Sequence, residues 1–246
     1  RAYILDLLPD QSLALFLKEE GYRVILLDWG DPEGEVLTYG LDAYFSNLLL
    51  PAVDALKGTF PNAPLFVLGY CMGGVFALGV SQMRAVQGLI LIAMPWDFHQ
   101  TSDARIRRYQ ALPGALQPLL DGWGYLPGEV IQALFHSLNP TGLIEKFERF
   151  TQWTTEERRT FFVALEDWVN DSVPLAKNVA QETLSRWFAE NRLAHSDLTL
   201  CGQRLNPMAN PTHTLLITGD KDRIVPCQGE HPLGSLMPRV TVNVAG

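Results

Sequence analysis

Cysteine is scarce in this chain, and its thiols are far apart. Cys71, Cys201 and Cys227 are the only three among 246 residues. That is too few and too scattered for a disulfide framework or for a zinc site built on paired ligands, and it fits a reducing cytoplasm. Nor is there a run of Lys or Arg: 19 basic residues face 27 acidic ones, a net charge of −8. Nucleic acid, which is held by clustered basic surface, is therefore excluded as an expected partner. No segment reaches the ~18 to 20 uninterrupted apolar residues of a membrane span. No secretory leader is visible, although an opening on Arg1 rather than Met leads us to expect a natural start further upstream. Repeats, low-complexity tracts and a Gly-rich phosphate loop of dinucleotide type are all missing, so no resident cofactor and no metal is expected.

What the chain does have is apolar material, 47% of its residues, enough for the core of one large α/β domain or two small ones. It is distributed in short runs: Arg23 to Asp28, Leu65 to Gly69, Gly88 to Ala93, Thr214 to Gly219 and Arg239 to Val244. Continuous Val, Ile and Leu runs of this length predict strands buried on both faces of a parallel sheet. Helical spacing fills the gaps, over Gln11 to Glu20, which Gly21 stops, and over Tyr39 to Leu56. Strands alternating with helices predict a doubly wound, mostly parallel sheet with its site at the carboxyl ends of the strands.

From about Pro95 to Pro211 the alternation stops and helical patterns follow one another, best over Gly128 to Ser137, Thr154 to Trp168 and Ala176 to Ala189. Thr154-Thr-Glu-Glu157 reads as a capping box. The expected organisation is a core of residues 1–95 and 211–246 carrying a helical cap or lid at 96–210. Its large side chains, Trp96, Phe98, Tyr109, Trp123, Phe147, Phe150, Trp153, Trp168 and Trp187, either line an apolar tunnel or fill the insert's own core.

The most informative stretch is Leu65 to Gly74, an apolar run ending in Gly69-x-Cys71-x-Gly73 and passing into a helical pattern. This is the layout of a nucleophile elbow, a sharp strand-to-helix turn that lifts one side chain above the sheet. Here that side chain is a thiol. The start of the following helix favours its thiolate, and the amide of Met72 is placed to meet a developing oxyanion. A second signal is Thr214 to Pro226, where a buried strand runs into a polar turn holding Asp220 and Asp222. In α/β-hydrolases the triad acid follows a late strand, in the order nucleophile, acid, base. Asp222 is the expected acid and Asp220 a turn former. No histidine fits the base well. His99, His136 and His195 lie in the insert, His213 opens the strand, and His231 follows the acid closely in an expected helix from Gly229 to Met237.

Taken in order, Tyr3-Ile-Leu-Asp-Leu7, Ser12-Leu13, Leu27-Asp-Trp29-Gly30, the Gly69 to Gly74 box, Trp168 to Leu175 and Asp222 to Pro226 resemble poly(3-hydroxyalkanoate) synthases over nearly the whole chain. The resemblance implies an α/β-hydrolase-like fold, Cys71 as the acylated nucleophile and Asp222 as the triad acid. It also implies a catalytic His in a Gly-His loop a few positions past Gly246, and a strand and Pro-rich loop ahead of Arg1, so that both ends are expected to be those of a partial chain. The implied reaction moves a 3-hydroxyacyl group from coenzyme A to Cys71 and then onto a growing polyester. Coenzyme A is there a substrate carrier, not a cofactor. The implied partners are a second copy of the chain, a second synthase subunit and the surface of cytoplasmic polyester granules. Two other readings stay open: a thioesterase, dienelactone-hydrolase-like enzyme or polyester depolymerase using the same thiol, and a non-catalytic granule-associated relative.

Overall fold

In a computed structural model of the chain, the described residues are 1–138, 142–220, 222 and 231–245. They fall into two compact units, Arg1–Leu37 with Tyr125–Ala176, and Thr38–Gly124 with Lys177–Gly246. The stretch read as an insert is shared between them, 125–176 belonging to the first and the rest to the second.

The second unit is built on a four-stranded sheet in the order Val240–Ala245, Thr214–Gly219, Gly88–Ile92, Phe66–Tyr70. Every neighbouring pair is parallel, with Phe66 opposite Gly88, Leu89 opposite Thr214 and Val240 also opposite Thr214. Parallel strands end on the same edge, so the turns after Tyr70, Ile92 and Gly219 emerge together. The expected fold class, a parallel sheet with flanking helices, is what forms. Leu89, Leu91 and Leu216 are fully covered in the two central strands, whereas Phe66, Tyr70, Val242 and Val244 on the outer ones are exposed. The helix Met72–Met83 is buried from Gly74 to Ser81, which is why its sequence shows no polar face. Tyr39 to Leu56 becomes one continuous helical stretch, Leu41 to Thr59, with a widened π-type turn over Tyr44–Leu49.

The first unit holds helix Leu13–Glu19, capped by Ser12, whose Oγ accepts from Leu15 N–H at 2.8 Å and donates to Asp6 at 2.5 Å. Its far end closes as a Schellman turn, with Gly21 N–H on Lys18 O and Tyr22 N–H on Leu17 O. Here residues of the first 31 positions meet motif residues near 170. Arg1 pairs with Asp31 at 3.0 Å and Asp171 at 3.2 Å, and the Trp168 indole donates to Arg1 O at 2.9 Å. Phe162 is buried among Phe147, Phe150 and Trp153, with Phe150 stacked on it at 4.6 Å.

Three expectations need correction. Residues 22–30 are neither strand nor helix, and Ile25, Leu26 and Leu27 are exposed. Apolar composition gives a preference for β-structure, but a strand exists only through its ladder, and the four ladder positions belong to the other runs. The capping box is not made either: helix Glu156–Asn170 starts one residue later, on Thr155, with no side-chain cap bond. A helix of 21 residues, Asp103–Trp123, was not among the expected ones; Pro113 and Pro118 lie inside it. Finally, Thr199–Leu200 and Gln203–Arg204 form a hairpin whose two turn residues, Cys201 and Gly202, both have left-handed φ, 50° and 71°.

Candidate active site

Strand Phe66–Tyr70 ends on Cys71, which takes φ 51° and ψ −123° and begins the helix Met72–Met83. A residue with a Cβ rarely enters this region, at a cost of ~1–3 kcal/mol. It is held there from both sides. Cys71 N–H donates to Ile92 O at 2.8 Å, and Cys71 O accepts from Gly74 N–H at 2.9 Å. Gly69 makes the crossing possible, since a Cβ on it would lie 2.5 Å from Gly73 O and 2.6 Å from Gly74 Cα. Gly73 itself faces open space, and the second close approach belongs to Gly74, against Met94. The elbow is therefore present, with its tight glycines at 69 and 74 rather than 69 and 73.

Cys71 is half-buried, and burial pushes its thiol pKa up while a hydrogen bond from the Met72 amide pulls it down. Asp222 raises it further, and the same carboxylate acts on Tyr70 and on His231. The Asp222 carboxylate is thus coupled electrostatically to all three groups. It is carried on the turn after Gly219, with Asp222 N–H on Gly219 O at 3.4 Å, whereas Asp220 N–H still donates to Ala245 O at 3.0 Å as an extension of the sheet.

The histidines sort clearly. His136, His195 and His213 are exposed, and His99 Nε2 bonds Phe188 O at 3.0 Å. His231 is 2% exposed and caps the short helix Pro232–Leu236, its Nδ1 accepting from Leu233 N–H at 3.2 Å. Nε2 must then carry the proton, which it donates to Met94 O at 3.1 Å. Both nitrogens are occupied. Residues 223–230, including Cys227 and the start of the expected 229–237 helix, lie outside the described residues. Among the described residues no group of three His, Cys, Asp or Glu side chains is spaced to hold a metal, and no helix is long and apolar enough to cross a membrane. Sequence reasoning missed Met94 and Gly74; their signal was the Met-Pro pair directly after a buried strand and the second glycine of the box.

A strand, an elbow with a thiol at its tip, and a carboxylate after a late strand define the class. The family model of the alpha/beta hydrolase family matches residues 6–246, and the chain belongs to that family. Among solved structures, an esterase from Exiguobacterium antarcticum is similar with TM-score 0.51 at 17% identity, covering 99% of this chain and 78% of the esterase. Curated relatives are narrower in kind. A poly(3-hydroxyalkanoate) polymerase subunit PhaC of Haloferax mediterranei is 28% identical over 97% of this chain and 49% of its own. The subunit of the same name from Synechocystis sp. is 27% identical over 97% of this chain and 65% of its own. The likeness to poly(3-hydroxyalkanoate) synthases read from the motifs thus runs along nearly the whole chain, which spans from about half to two thirds of these relatives.

Proposed function

We propose that this chain is the catalytic segment of a polyester-forming acyltransferase that uses 3-hydroxyacyl coenzyme A. The observation carrying the reading is Cys71 at the elbow, bonded by the Met72 amide and within the field of Asp222. The Cys71 thiolate attacks the thioester carbonyl, a Cys71 acyl thioester forms, and coenzyme A leaves as its thiol after taking a proton. The hydroxyl of a second acyl unit then attacks this acyl-enzyme, gives up its proton to the base and releases the sulfur, lengthening the chain by one ester. Met72 N–H is the oxyanion donor and Asp222 the carboxylate that orients and charges the base. Its base is not assigned to any described histidine. A thioester suits the task, since exchange between sulfurs is close to balanced and the ester formed is the more stable product.

Support comes from the elbow geometry and from relatives named as polymerase subunits. Polymer partners, pairing of two copies and location at granules belong to the same proposal. Incubation with 3-hydroxybutyryl coenzyme A followed by peptide mass spectrometry should find the acyl group on Cys71, and Cys71→Ala should abolish it. Insoluble polyester is the expected product; release of free hydroxy acid alone would instead establish the hydrolase, and an unlabelled Cys71 would establish a non-catalytic relative.

A further inference from the structure

His231 was the only histidine following the expected acid, and its two bonds exclude a base's free nitrogen. They point to something else. Its ring reaches from the segment that follows the acid turn to the carbonyl of Met94, at 3.1 Å. Met94 is fully buried, and its Cβ and Cγ lie 2.7 Å from the position a Cβ on Gly74 would occupy, so its side chain fills the space that glycine leaves at the first turn of the elbow helix. One residue earlier, Ala93 N–H donates to Ile217 O at 2.8 Å, and Ile92 O receives the Cys71 amide at 2.8 Å. The segment Ile92 to Met94 therefore touches the nucleophile, the first helical turn and the acid-bearing strand, and His231 bonds it as well.

We infer that His231 is a neutral positioning residue, a latch that fixes the segment after the acid turn to the nucleophile elbow through the Met94 carbonyl. It rests on the proposed role of Cys71 and adds the part that holds Met72 N–H aimed at the sulfur. If the latch opens, Met94 loosens against Gly74, the Met72 amide loses its aim, and the thiol loses a bond that favours its thiolate.

Protonation would strain the other end of the ring while leaving the Nε2 donation to Met94 O in place. A proton on Nδ1 would oppose the Leu233 N–H, turning an acceptor into a second donor. Among the described residues, Asp222 is the charged group acting on the ring. Its own helix, Pro232–Leu236, and the two described elements most in contact with that helix, Pro207–Ala209 and Val240–Ala245, contain no ionisable side chain.

Two substitutions separate the bonds. His231→Gln keeps an amide nitrogen near the Nε2 position and so the bond to Met94 O, whereas His231→Asn keeps an acceptor near Nδ1 for Leu233 and cannot reach Met94. The readout is the rate of Cys71 alkylation by iodoacetamide against pH, resolved by peptide mass spectrometry on the full chain. His231→Asn should shift the profile upward by about one unit, slowing alkylation about tenfold at neutral pH, and His231→Gln should stay close to the parent. The reverse order would reduce His231 to a helix cap, and unchanged profiles in both would overturn the latch. Since alkylation needs no acyl transfer, these results hold whether or not polyester forms. Conversely, normal polymerisation with both variants unchanged would sink the latch alone.

Discussion

At the level of single residues, the elbow depends on two absent methyl groups. Gly69→Ala sets a Cβ against backbone atoms of residues 73 and 74 that cannot swing aside, so the strand and helix must separate. We expect a loss on the order of 1–3 kcal/mol, the usual range for an overfilled site, read by denaturant unfolding, together with failure of acyl labelling at Cys71. Gly73→Ala, facing open space, should leave stability unchanged within a few tenths of a kcal/mol on the same assay. The two aspartates of the late turn divide differently. Asp222→Asn removes the charge that reaches Tyr70, Cys71 and His231 and should slow acyl transfer by roughly 10³-fold or more. Asp220→Asn leaves its backbone bond to Ala245 intact and should cost far less activity in the same kinetic assay.

Whole elements were legible where local pattern and tertiary role agreed. Four of the five apolar runs became the sheet, because a strand covered on both faces must be apolar throughout, and that composition is visible without partners. Arg23 to Asp28 has the same composition and no ladder, a difference that lies outside the run itself. Asp103–Trp123 was hidden for the opposite reason, since two prolines outweigh a periodic pattern in any local reading, yet the folded helix tolerates both. The elbow could be read because its glycines are required by the turn; the His231 to Met94 bond could not, because 137 positions separate its ends. Burial of the same ring also sets a pH response, which the bond to Met94 partly opposes. Burial lowers the His231 pKa in the folded chain below its unfolded value of about 6.5. The unfolded state then binds the extra proton between those two values, so the contribution is complete above the unfolded pKa and is lost as pH falls toward the folded one. Thermal unfolding followed from pH 8 down to pH 5 should show Tm falling, and His231→Gln should flatten part of that slope.

For the molecule as a whole, two separate cores mean two places where stability resides. The first unit gathers its rings on Phe162, buried beneath Phe150 and flanked by Phe147 and Trp153. Phe162→Ala should cost about 3–5 kcal/mol as those rings lose their common neighbour, and hydrogen exchange should show the loss concentrated over residues 142–170. Several of the motif residues that lie away from the elbow sit in this unit and are held there: Asp6 accepts from Ser12, and Asp171 and Trp168 both engage Arg1, which also pairs with Asp31. Sequence alone showed them as scattered matches and gave no sign that Arg1 joins positions 31, 168 and 171.

The hairpin turn at Cys201 and Gly202 carries a practical corollary. An exposed sulfur on a tight bend competes for every electrophile meant for the elbow, so bulk titration of free thiols would report the wrong atom. Asparagine tolerates the same backbone twist, which makes Cys201→Asn the natural parent background for any crosslinker, fluorophore or covalent inhibitor aimed at the acylation chemistry.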